Sequence, residues 1–214
     1  MLEAVCLVCR TVAGEARLRV LHALAGEEEL PGKDVAWRAG LTPPGASKHM
    51  ARLVTAQLAR ARRSGAYVYY GLAPERGKGF GPAVGGLVAC ACRDPRWATA
   101  QWRERGVIHL SSETVARVGL RAARALDVVF DAATAFGNVR RLQIVQLLSR
   151  RPPCEFGRVR QELRMSLRAC ERHLDKLARR KYVRRVASRV WTLADRQRTP
   201  FHEALFGAVL SVLA

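Results

Sequence analysis

The stretch Thr42-Pro43-Pro44-Gly45-Ala46-Ser47-Lys48-His49-Met50-Ala51-Arg52-Leu53 decides the fold. Thr42 is a good N-cap, and the prolines after it suit a first helical turn, where a backbone N–H is not needed. Ala46, Met50 and Leu53 then recur at helical spacing, which predicts a helix over residues 42–57 with one buried face. Upstream, residues 33–39 form a short helix stopped by Gly40, a residue suited to a left-handed cap. Further back, residues 15–24 carry apolar side chains at 18, 20, 21 and 24, the stripe of an amphipathic helix. Downstream, residues 58–63 and 66–72 flank Ser64-Gly65, and the second run holds Tyr67, Val68, Tyr69 and Tyr70. Two β-rich runs around such a turn predict a hairpin. Helix, helix, turn, helix, hairpin is the order of a winged helix. Helices over 2–12 and 82–92 flank it.

The same pattern recurs downstream at an offset of 124 (141 − 17). Arg17-Leu18 then falls on Arg141-Leu142, Val35 on Val159, His49 on His173, Leu53 on Leu177 and Ser64 on Ser188, all without a gap. Past the hairpin the second copy is shorter, with Leu72 on Leu193 and Phe80 on Phe201. Self-similarity over such a span predicts a repeated unit. Its elements are helices over 141–148, 158–163 and 166–181, a hairpin from 183–185 and 190–193, and flanking helices over 113–135 and 200–213. The expected fold is mainly α with small β-hairpin wings: a tandem pair of winged helix-turn-helix domains. Residues 1–92 form the first, 93–111 a linker whose Trp97 and Trp102 pack on a domain, and 112–214 a divergent second.

Charge narrows the partners. Lys and Arg number 37 against 18 Asp and Glu, a net charge of +19 carried mostly by arginine. Such an excess draws polyanions, nucleic acid first and an anionic membrane surface second. A genome biased toward arginine codons explains Arg over Lys but not the shortage of acids. No secretory pattern opens the chain, and the apolar stretches 80–92 and 201–214 are shorter than the roughly 20 residues of a membrane span. A cytoplasmic protein with no membrane partner is expected, with its cysteines as thiols.

The segments Ala16-Arg17-Leu18-Arg19-Val20-Leu21, Ser47-Lys48-His49-Met50-Ala51-Arg52-Leu53, Arg62-Arg63-Ser64-Gly65 and Tyr69-Tyr70-Gly71-Leu72 resemble the ArsR/SmtB family. The resemblance covers about residues 2–92 and returns more weakly over 125–213. It implies a regulator, usually a repressor, that binds double-stranded DNA as a homodimer with its first and last helices buried against the second subunit. In a tandem chain the partner is an intramolecular pseudo-dimer mate, or a second chain. The resemblance makes 42–57 the recognition helix, with Thr42, Ser47, Lys48, His49 and Arg52 toward DNA. A helix fits the major groove, where such side chains reach base edges and phosphates. Arg60, Arg62, Arg63 and Tyr67 belong to the wing, and Arg168, Arg172, His173, Arg184, Arg185 and Arg189 are their second-copy counterparts in role. Against contact, the histidines could cap or pack, and wing arginines could be a solvated face. The second copy also departs from the pattern, with Glu171 in place of Ser47 and Arg164 in place of Gly40.

Cys6 and Cys9 share a face of the first helix, and Cys90 and Cys92 end the last helix of the same copy. Convergence of these four thiols would suit a thiophilic metal or metalloid ion, or a redox switch. Buried packing weighs equally, because residues two apart on a helix diverge by about 200°. Phosphate loops, nucleophile–base pairs and zinc-protease motifs are not seen, so an enzyme is not expected. Besides a regulator, two readings stand: a non-specific architectural DNA binder, and a winged-helix module that holds another protein.

Overall fold

A computed structural model describes residues 1–74, 77–100 and 109–214. The chain begins with α1 (Leu2–Val12), α2 (Glu15–Leu24), β1 (Leu30–Pro31), α3 (Gly32–Ala39) and α4 (Pro43–Thr55). A hairpin of β2 (Ala59–Ser64) and β3 (Tyr67–Leu72) leads to α5 (Phe80–Arg93) and α6 (Pro95–Thr99). The second half runs α7 (Ser112–Val118), α8 (Leu120–Phe136), α9 (Val139–Arg150), β4 (Cys154–Glu155), α10 (Phe156–Glu162) and α11 (Leu167–Arg179). It ends with β5 (Val183–Ala187), β6 (Val190–Leu193) and α12 (Pro200–Leu213). Among the described residues the protein is mainly helical with two small antiparallel sheets, ordered β1-β3-β2 and β4-β6-β5, an arrangement compatible with winged helix-turn-helix units. The third strand of each sheet was not legible in the sequence. Each is only two residues long, pairing Leu30 with Tyr70 and Cys154 with Trp191.

Backbone details recur between the halves. Gly40, Gln57 and Gly65 have φ of 63°, 57° and 58°, and Arg164, Lys181 and Arg189 have 47°, 56° and 58°. Arg164 therefore takes the left-handed cap that glycine fills in the first half, despite the steric cost to a residue with a Cβ. Arginine also caps the preceding helix in both halves. Arg17 donates to the carbonyls of Arg10 and Thr11 at the end of α1. Arg141 donates to those of Thr134 and Ala135 at the end of α8. Cations there complement the negative end of the helix dipole.

The halves share one apolar core. α1 lies against α8 and α5 against α12, while α8 also touches α5, α6 and α9. Val5 and Val8 of α1, Val84 and Val88 of α5, Val128 and Val129 of α8, and Phe206 and Val209 of α12 are all buried within it. Phe136, Tyr182 and Phe206 form its aromatic centre, with ring centroids 4.5 and 5.1 Å from Tyr182. α7 is tied to α2 by Arg19–Glu113 at 2.5 Å and by Glu15, which accepts from the Ser111 and Thr114 hydroxyls.

Two expectations change. The helix expected over 113–135 is two helices, because Gly119 at φ 82° breaks it. The expected linker is partly helical: Asp94 caps α6 by accepting from Arg96 N and Trp97 N. Trp97 meets Phe201 edge-on at 6.2 Å, so this segment packs on α12, while Trp102 lies outside the described residues. Among the described residues no helix is long and apolar enough to cross a membrane.

Candidate nucleic-acid interface

α4 is built as the sequence requires. The Thr42 hydroxyl accepts from Gly45 N at 3.3 Å, and Ala46, Met50 and Leu53 are buried. That packing leaves Ser47, Lys48, Ala51, Arg52 and Thr55 exposed, with no acid anywhere in the helix. Such a face offers phosphates cations and offers base edges short polar groups. In α11, Ser166 caps Ala169 N at 3.3 Å in the same way. Its exposed residues are Leu167, Arg168, Glu171, Arg172, Asp175 and Arg179, a face of mixed sign.

The two histidines depart from expectation. His173 is buried at 8% exposure, so it packs within the fold and presents little of its ring to solvent. His49 is half-buried. Burial, then the charges of Arg17 and Arg52, lowers the proton affinity of His49; burial, then Arg141 and Arg172, does the same for His173. Each histidine thus sits by the arginine that caps the preceding helix. Their shared place in both halves coincides with this packing beside an arginine.

The wings are less free than the sequence suggests. Arg60 and Arg62, two apart on β2 and so on one face, both bind Glu29, at 2.9 and 2.7 Å. Arg62 also covers the Tyr69 ring at 5.1 Å. Arg63 points to the opposite face and pairs with no described carboxylate. Tyr67 is exposed, with Lys33 Nζ 6.0 Å from its ring centre. In the second wing Arg184 pairs with Asp195 at 3.0 Å, Arg185 covers Trp191 at 5.0 Å, and Arg189 occupies the turn. Sequence reasoning missed Glu29, whose partners lie some thirty residues away, and Trp37, which is 76% exposed on α3.

The thiols do not converge. Cys6 and Cys9 are buried, Cys90 is exposed and Cys92 is half-buried. Burial pushes the Cys9 thiol far up and the Cys92 thiol up to about 12, which disfavours the thiolates a soft metal needs. Among the described residues no group of three or more His, Cys, Asp or Glu side chains could hold a metal ion. The expected site of Cys6, Cys9, Cys90 and Cys92 is corrected accordingly: α5 stays helical through Cys90 and Cys92, so they face different ways.

A charged knot fills the second half instead. Asp131 pairs with Arg180 Nη2 at 2.9 Å, Arg198 Nη1 at 3.3 Å and His202 Nε2 at 3.3 Å. Burial pushes its carboxyl up, but the His202 hydrogen bond and the arginine charges outweigh this and hold it below the usual range. Burial keeps His202 neutral, so Nε2–H donates to Asp131 and Nδ1 accepts from the Thr199 hydroxyl at 2.9 Å.

The chain is similar to the HTH-type transcriptional regulator KmtR of Mycobacterium tuberculosis, at 37% identity over 76 residues. The match covers 34% of this chain and 58% of the length of that protein. No family model matches the chain, and no solved structure does.

Proposed function

We propose that this chain is a transcriptional repressor of the ArsR/SmtB type in which one polypeptide supplies both halves of a DNA-binding pseudo-dimer. The carrying observation is the pairing of α1 with α8 and α5 with α12. Faces that family members bury against a second subunit are here buried by the chain itself, while α4 and α11 keep exposed basic side chains. The matching element order and left-handed positions support reading the two halves as tandem copies.

In this reading Ser47, Lys48, Arg52 and Arg63 of the first half meet bases and phosphates. Arg168, Arg172, Arg185 and Arg189 serve the second half. The net charge of +19 supplies the non-specific attraction. Selection of genomic fragments by the purified chain at physiological salt, with sedimentation of the complex, tests it. One chain per duplex and a motif with unequal halves are expected. Uniform recovery of all fragments would indicate an architectural binder. An obligate dimer of chains would end the pseudo-dimer reading. Repression follows the family resemblance and is checked by a promoter fusion, whose output falls when the protein is present.

A further inference from the structure

We infer that each half sets an arginine at the turn before its recognition helix to hold a backbone phosphate of DNA: Arg117 in the first half and Arg164 in the second. The inference rests on the DNA-binding reading above. In the first half, Gly40 closes the turn between α3 and α4 at φ 63°. A Cβ built on Gly40 would lie 2.8 Å from Arg117 Nε and 3.0 Å from Arg117 Nη2, so this guanidinium covers the turn. Arg117 belongs to α7, which the Arg19–Glu113 pair and the hydrogen bonds to Glu15 fix against α2. The contact is thus delivered to the first half by the second.

In the second half the turn between α10 and α11 carries its own arginine. Arg164 takes the left-handed position at φ 47°, so its side chain starts from the point that Arg117 covers in the first half. That conformation is costly for a residue with a Cβ, and glycine would avoid the cost. Strain of this kind persists where a function uses it. Nothing described within the protein uses these side chains. Arg117 and Arg164 are both exposed, and among the described residues no hydrogen bond or ion pair holds either guanidinium. Glu162, the acid nearest Arg164 in sequence, is taken by Arg158 at 2.7 Å and Arg151 at 3.4 Å. Two unlike routes, a side chain from a neighbouring helix and a strained residue in the turn itself, bring an exposed arginine to the same turn.

The place suits phosphate. A recognition helix enters the major groove with its N-terminal residues toward the base edges, so the turn just ahead of it lies at the rim of the groove, along the backbone. Guanidinium forks match phosphate oxygens in pairs. In the second half Arg164 also places a cation ahead of α11, whose exposed face carries Glu171 and Asp175.

Anisotropy of a labelled duplex, titrated with the full chain from about 50 to 200 mM salt, tests both contacts. Arg117→Ala and Arg164→Gly should each make the slope of log K against log salt shallower by about 0.9, whereas Arg164→Lys keeps the charge and should hold the wild-type slope. Arg164→Gly also relieves the left-handed backbone, so its melting temperature should rise by about 2–4 °C while DNA binding weakens. A residue kept only for packing would not lose binding as the fold gains stability. Arg117→Ala changes an exposed helical residue to a strong helix former and should melt as the wild type does. A wild-type slope in either Arg117→Ala or Arg164→Gly overturns the pairing of the two arginines. If the wild type itself binds no duplex, the DNA-binding reading falls and takes this inference with it; wild-type binding with unchanged slopes overturns the inference alone.

Discussion

Replacing Glu29 with glutamine tests whether the first wing meets DNA. Its carboxylate holds Arg60 Nη1 at 2.9 Å and Arg62 Nη2 at 2.7 Å. The Arg62 hydrogen bond keeps the carboxyl below its ordinary range, so it is ionised at neutral pH and cancels one of the three wing arginines. Glu29→Gln releases that charge. Each phosphate neutralised adds about 0.9 to the slope of log K against log salt. One more arginine on phosphate therefore steepens the slope by about 0.9, an extra loss of about 3.5-fold between roughly 50 and 200 mM salt, with tighter binding at the low end. Anisotropy of a labelled duplex over that range reads both quantities. Both arginines are largely exposed while Glu29 is half-buried, so solvent screens the pairs, the fold should be kept, and melting curves check this. Arg63→Ala should shift the slope equally in the opposite sense. If both variants keep the wild-type affinity and slope, the wing does not contact DNA and the reasoning fails.

Asp131→Asn should lower stability to urea by about 3 kcal/mol at neutral pH, the loss typical of a buried ion pair stripped of one partner. The folded carboxyl titrates below its ordinary range, so its stabilisation is complete at neutral pH and fades as pH falls through the depressed value; the gap between wild type and variant should narrow in acid, and a constant gap would contradict the assignment. Thiol labelling of the native protein should modify Cys90 first and spare Cys6 and Cys9 until the chain unfolds; prompt modification of Cys6 by mass mapping would show α1 to be less buried than described. His173→Ala should cost roughly 1–3 kcal/mol of stability while leaving the selected DNA motif unchanged, and a changed motif would restore His173 as a reader.

Periodicity and caps made most of this fold legible. The apolar stripe of Ala46, Met50 and Leu53 and the Thr42 cap placed α4, and Ser166 placed α11 by the same logic. Elements too short for a period escaped: β1 and β4 depend on pairing with β3 and β6, and α6 depends on the Asp94 cap and the seat of Trp97 on Phe201. Site residues were harder. Spacing put Cys6 and Cys9 on one face correctly, but where Cys90 points depends on how far α5 continues. Shared position marked His49 and His173 as special without saying that each packs beside a capping arginine. The pairing of Arg60 and Arg62 with Glu29 is a long-range contact that no local pattern announces.

On the pseudo-dimer reading, a tandem chain frees each half from the symmetry of a homodimer, and α4 and α11 can differ. In a dimer of identical subunits, every change to the recognition helix appears at both half-sites. Here α11 carries Glu171 and Asp175 where α4 carries Ser47 and Ala51, and all four are exposed. Two carboxylates beside the phosphate backbone oppose binding by charge, although a carboxylate deep in the major groove can accept from the cytosine amino group. The second wing is likewise tempered, since Arg184 is held by Asp195 and Arg185 lies on Trp191. On the pseudo-dimer reading, α4 and Arg63 anchor the complex, while α11 tolerates few sequences and contributes discrimination more than affinity. The operator should then hold one half-site whose loss abolishes binding and a second whose loss relaxes specificity. Binding to two single-half-site duplexes measures this directly: equal affinity for both would show that the acidic substitutions in α11 face away from DNA.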